Sequence, residues 1–70
     1  MMPLTLAKQG ETNYIQKITG KDEVRQHLAE LGFVVGGRVT VVSVIAGNMI
    51  LQVKDCRVAL NRDMAQRIMI

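Results

Sequence analysis

Leu28-Ala29-Glu30-Leu31-Gly32-Phe33-Val34-Val35-Gly36-Gly37-Arg38-Val39 is the stretch in which one apolar periodicity stops and another begins. Upstream of it, Val24, Leu28 and Leu31 recur at i, i+4 and i+7, the stripe of an amphipathic helix, while Lys21, Arg25, Gln26 and Glu30 take the other sides. Downstream, Val39 and Val41 alternate with Arg38 and Thr40, which is the spacing of a strand. Gly32 stands just past the last periodic leucine, where a residue without Cβ leaves a helix at least cost. Gly36 and Gly37 then supply the turn into the strand that Val39 opens. The joint predicts a helix closing over a small sheet, with Leu28, Leu31 and Phe33 as the lid.

On the N-terminal side, Leu4 and Leu6 are the expected anchors of a short lead-in, and Gln9-Gly10 forms a turn. Glu11 to Ile18 reads as one edge strand through Thr12, Tyr14, Ile15 and Ile18. Thr19 is the expected N-cap of the helix, with Asp22 and Glu23 near the positive end of its dipole. On the C-terminal side, Val39 to Ile45 is rich in β-branched residues, and Ala46-Gly47-Asn48 is a hairpin signal. Met49, Leu51 and Val53 then alternate cleanly with Ile50, Gln52 and Lys54. Lys54-Asp55-Cys56 makes a further turn, and Arg57 to Leu60 gives a short strand with Val58 and Leu60 inward. Asn61 or Asp63 caps a helical turn around Met64 and Ala65, and Arg67 to Ile70 closes the chain. The count is about five short strands and one helix inserted after the first, the rhythm of a small barrel.

Seventy residues make a single domain, 1–70, whose one core leaves roughly 3–5 kcal/mol of net stability. Hydrophobic residues are 49% of the chain, yet Tyr14 and Phe33 are its only aromatics, so the core is aliphatic. Nine Lys and Arg against six Asp and Glu give a charge of +3, but the bases are dispersed among acids rather than run together. The single Cys56 has no disulfide partner, which fits a reducing cytoplasm. The chain shows neither a leader pattern nor an unbroken apolar run of spanning length, so it is expected to be cytoplasmic.

The chemistry-bearing residues do not form a catalytic or cofactor pattern. His27 and Cys56 are the only imidazole and thiol and lie far apart in sequence, so no metal site and no cofactor are expected. No nucleophile–base–acid set can be assembled, and Gly36-Gly37 lacks the Lys-Ser/Thr that a nucleotide loop requires, so no enzyme is expected. The methionines Met49, Met64 and Met69 read as flexible packing. Nucleic-acid binding lacks a stacking platform beyond Tyr14. Protein binding through an outward patch remains, and strand parity makes Val42 and Ile50 its candidates.

The pattern Leu28-x-x-Leu31-Gly32-Phe33-x-x-Gly36-x-x-Val39-x-Val41 resembles the FeoA family, small accessory proteins of bacterial ferrous-iron uptake. Pro3-Leu4 with Gly10 resembles the family's opening, and Ala59-Leu60, Arg62 and Ala65-x-x-Ile68 its closing segment. Two positions depart from the pattern: Val35 stands where many relatives have proline, and Cys56 where they have glycine or a polar residue. The resemblance implies an SH3-like barrel with an inserted helix, and transition metal ion binding is implied by the family alone. It also implies a partner, the membrane ferrous-iron permease FeoB, with the protein reaching the membrane only through it. The same barrel resembles the C-terminal domain of iron-dependent repressors, so the alternative is an SH3-like nucleic-acid-binding or transcription-regulatory module. Direct iron handling would have to draw on His27, Glu30 and Cys56, fewer converging ligands than Fe(II) takes.

Overall fold

In the computed structural model, which describes residues 1–70, α1 (Asp22–Glu30) ends at the glycine that the periodicity marks. Gly32 takes φ +107°; its N–H donates to the Ala29 carbonyl at 3.0 Å, and the Phe33 N–H donates to the Leu28 carbonyl at 2.9 Å. These two nested bonds, spanning three and five residues, form a Schellman motif, which satisfies carbonyls that the last turn of a helix leaves unpaired. The motif brings Phe33 back toward Leu28, and both side chains are 0% exposed within one core cluster. Leu31, half-buried, packs against that cluster, so the three residues form the expected lid. The turn beyond it is tied down: the Gly36 N–H donates to the Ile15 carbonyl at 2.8 Å, and the Ile15 N–H to the Gly37 carbonyl at 2.8 Å.

Six strands, rather than about five, build two antiparallel sheets under this lid. The larger has the order β1 (Thr12–Tyr14), β3 (Arg38–Ile45), β4 (Asn48–Val53), β5 (Cys56–Asn61); the smaller pairs β2 (Lys17–Ile18) with β6 (Ile68–Met69). The run predicted as one strand from Glu11 to Ile18 is therefore two. Thr12–Tyr14 pair with β3, Ile15 is committed to the glycine turn, and from Gln16, whose N–H donates to the Met69 carbonyl at 2.7 Å, the chain joins the second sheet. Polar residues interrupt the alternation at this switch, which is why the run reads as an irregular edge strand. The first and last residues pair with each other, the Met2 and Ile70 N–H groups each donating to the other's carbonyl at 2.9 and 2.8 Å.

The core is aliphatic apart from Phe33. Val39, Val41, Leu51 and Val53 are buried and meet across strands as Val39↔Val53 and Val41↔Leu51, the inward half of the predicted alternation. Met49 is buried and Met64 half-buried against the cluster, consistent with their packing role.

Two local expectations are corrected. Leu4–Leu6 form a 3₁₀ turn in which positions three apart share a side, so Leu4 and Ala7 are buried while Leu6 is 64% exposed and anchors nothing. Thr19 does not cap α1: Lys21 occupies the N-cap without a side-chain bond, and the Thr19 hydroxyl instead donates to the Arg67 carbonyl at 3.2 Å, beside the β2–β6 ladder. Asn61, one of the two expected caps, does cap α2 (Arg62–Ala65), accepting from the Met64 N–H at 2.8 Å.

Phe33→Ala should cost about 3–5 kcal/mol, comparable to the whole net stability, and abolish the cooperative thermal transition at ambient temperature. Gly32→Ala should cost about 1–2 kcal/mol through backbone strain alone, because the added Cβ would sit in ordinary contact, 3.6 Å from the Val53 methyls. Thermal melts indistinguishable from wild type would refute the lid in the first case and the strained exit in the second.

Candidate functional site

Strand parity divides the four-stranded sheet into a core face and an outer face. Cross-strand pairing sets Thr12, Thr40, Gln52 and Arg57 in one outward row, with Tyr14 opposite Arg38 in the next. The row is knit by side chains. The Thr12 and Thr40 hydroxyls share a hydrogen bond at 2.8 Å, the Arg57 Nε–H donates to the Gln52 Oε1 at 3.2 Å, and the Gln52 Nε2–H donates to the Lys54 carbonyl at 3.0 Å. Between them lies a hollow of about 320 Å³ lined by Thr12, Arg38, Thr40, Gln52 and Lys54, with no apolar residue in its wall.

Ile50, a predicted contact residue, lies on this outer face, half-buried between Ser43 on β3 and Ala59 on β5. Val42, the other, has no cross-strand partner on β4. The β3–β4 register shifts between Val41 and Ser43, so Val42 is the extra residue of a β-bulge and is also half-buried. Ser43, not Val42, therefore stands opposite Ile50. The fold residues Leu28, Leu31, Gly32, Phe33, Gly36 and Val39 belong to the lid, its turn and the inner sheet face, away from this surface.

A second concavity, about 570 Å³, runs between β2 and α1 and is lined by Lys17, Ile18, Arg25, Phe33, Val34 and Val35, among others. Val34 and Val35 are exposed at its rim. They follow from the same turn that buries Phe33, and their adjacency to a helix stop was the available signal.

The candidate metal ligands named from the sequence do not converge. His27 is exposed on the last turn of α1, Glu30 ends that helix, and the exposed Cys56 begins β5 on the far hairpin. No group of three His, Cys, Asp or Glu residues is placed to hold a metal ion. No helix is long and apolar enough to cross a membrane.

What sequence order hides is the gathering of bases. Arg38, Lys54 and Arg57 are dispersed in the chain, yet the antiparallel register places them at one end of the outer face. The parity of Arg38, Gln52 and Arg57 across two hairpins carried that signal.

A small two-sheet β fold with a helix set in after its second strand belongs to the SH3-like class. A crystal structure of zinc-bound FeoA from Stenotrophomonas maltophilia, described as a procaryotic SH3 domain protein, matches it at TM-score 0.85 and 25% identity, covering 99% of this chain and 88% of that one. The chain belongs to the FeoA family, whose domain model matches residues 2–70. A protein of Methanocaldococcus jannaschii assigned as Fe(2+) transport protein A is 31% identical over 70 residues, all of this chain and 85% of that protein. A crystal structure of an iron uptake regulatory protein, FeoA, matches at TM-score 0.88 and 27% identity, covering 96% of this chain and 89% of that one. A manganese-dependent transcriptional repressor carries the same fold in 38% of its length, covering 94% of this chain at TM-score 0.86 and 22% identity.

Lys54 has φ +53°, a left-handed conformation that costs a residue with a Cβ about 1–2 kcal/mol. Lys54→Gly should therefore leave the fold as stable as wild type or stabilise it by about 0.5–1 kcal/mol, after allowing for the greater unfolded-state entropy of glycine. A urea titration giving a lower midpoint would show that the lysine is not strained there.

Proposed function

We propose that this protein is a non-enzymatic, cytoplasmic accessory of ferrous-iron uptake that acts by docking on the cytoplasmic side of a FeoB-type permease. Membership of the FeoA family supports the transport setting. The observation that carries the docking mode is the outer sheet face, where Ile50, flanked by the small side chains of Ser43 and Ala59, forms an apolar contact point next to the bulged Val42. Small neighbours leave an isoleucine accessible to a partner surface, and apolar centres with polar rims are the ordinary anatomy of interfaces. The separation of His27, Glu30 and Cys56 supports a role without metal chemistry on this chain. Iron in this reading is the permease's cargo and is not held here.

The regulatory alternative rests on the fold shared with the manganese-dependent repressor. A likeness of that kind carries the barrel and not the DNA-reading domain, and the outer face offers a single aromatic, Tyr14, for base stacking. Titration with mixed DNA and RNA at two salt concentrations separates the readings, since phosphate-driven affinity is greatest at low salt. The docking reading expects no binding even there.

The direct test is capture of the permease from membranes, with and without GTP analogues. Ile50→Lys should reduce retention of the permease by about tenfold or more while the thermal melt stays within a few degrees of wild type, because a central apolar contact is worth about 1–2 kcal/mol. A folded variant that still holds the permease would displace the patch, and absence of any complex with the wild type would overturn docking itself.

A further inference from the structure

The outer sheet face carries an uncompensated cationic end. Arg38 at the start of β3, Lys54 at the end of β4 and Arg57 on β5 are all exposed, and no Asp or Glu occupies an outward register position on any of the four strands. Two acids flank the hollow's residues in sequence: Asp55, the turn residue after Lys54, and Glu11, the residue before Thr12, whose carboxylate accepts from the Asn13 amide at 2.8 Å. The molecule's ion pairing is elsewhere, a single contact of 3.6 Å between Arg25 and Asp22 on α1. Gln52 orients Arg57 through its Nε–H, and no carboxylate takes up the terminal Nη groups.

Lys54 reaches this face from the turn between β4 and β5. The two-residue connection between Val53 and Cys56 places it at φ +53°, where glycine or asparagine would be cheaper, yet a lysine that lines the polar hollow stands there. Immediately along the same strands the face turns apolar: Ile50 lies two residues from Gln52, about 7 Å away along an extended chain, with Ala59 beside it. That interval is the repeat between alternate side chains of an extended peptide.

We propose that this face binds an extended acidic segment of a protein partner, whose carboxylates sit against Arg38, Lys54 and Arg57 and whose next alternate side chain, an aliphatic one, rests on Ile50 and Ala59. Guanidinium forks match carboxylates in paired hydrogen bonds, and the Thr12 and Thr40 hydroxyls line the floor of the hollow as further polar partners. A phosphodiester chain would satisfy the cations but has no aliphatic group for the Ile50 strip, and the face gives its bases one ring to stack on. The assignment deepens the docking reading above by naming the chemistry of the permease segment that would lie on this face.

The test uses two arms. In the first, a short fluorescein-labelled peptide with consecutive glutamates followed by leucines at alternate positions is titrated by anisotropy, and amide shifts are mapped by NMR. Arg38→Gln with Lys54→Gly should weaken the peptide by about tenfold, whereas Lys8→Gln with Lys21→Gln, which removes the same charge elsewhere, should change it by less than about twofold. Shifts should centre on Arg38, Thr40, Gln52 and Lys54. Equal weakening by both pairs, shifts centred on the Phe33–Val35 groove, or tighter binding of tripolyphosphate or single-stranded DNA would overturn the proposal. Because Lys54→Gly is not expected to destabilise the fold, a loss of binding in a variant that melts like wild type reports the face itself.

In the second arm the same variants are challenged with the detergent-solubilised permease. Loss of capture by the Arg38 and Lys54 pair supports the acidic segment. Capture kept by that pair but lost with Ile50→Lys overturns it while docking stands. Should wild type fail to hold the permease, docking falls, and the peptide arm still decides what the face binds.

Discussion

The structure depends on two nested hydrogen bonds at the end of α1, from Gly32 to Ala29 and from Phe33 to Leu28. A barrel of short strands with a single phenylalanine has little to bury unless a helix is held down on it. The nested bonds do that by turning the chain at a residue that bears no Cβ and delivering the one large aromatic into the core beside Leu28. The next turn is fastened to Ile15, so the helix, its exit and the crossing point between the two sheets form one connected joint. Loss of any part exposes the rest.

That joint was legible because its signals are local. The stripe of Val24, Leu28 and Leu31, the glycine after it and the β-branched run beyond each belong to a few consecutive residues. The same holds for Met49, Leu51 and Val53, whose strict alternation predicts their burial. What escaped was set by partners distant in sequence. Thr19 has the chemistry of a cap but spends its hydroxyl on Arg67, 48 residues away, and Glu11 to Ile18 divides because β3 and β6 claim different halves of it. Leu6 differs: its side chain is apolar, but the 3₁₀ turn places Leu4 and Ala7 on the buried side and directs Leu6 to solvent.

The candidate surface was legible in part for the same reason. Ile50 can be assigned to the outward face from parity alone. Val42 follows parity only if the strand has no irregularity, and the bulge beside it changes which residue stands opposite Ile50. The cationic end depends on two hairpin registers at once, so bases that look dispersed in the chain become neighbours in the sheet. The stretch from Leu28 to Val39 builds the joint, whereas the solvent face is set by the register of two hairpins.

The bulge at Val42 has a consequence for folding fidelity. From Val39 to Ile45, β3 is almost uniformly β-branched, and such a run can slide along its neighbour by two residues with little change in which methyl groups are covered. A sliding strand would have to carry the extra residue with it, opening ladder bonds on β4 that the Ala46-Gly47 turn holds in place. The irregularity therefore works as a ratchet tooth, making one alignment of an otherwise repetitive strand distinguishable from its near copies.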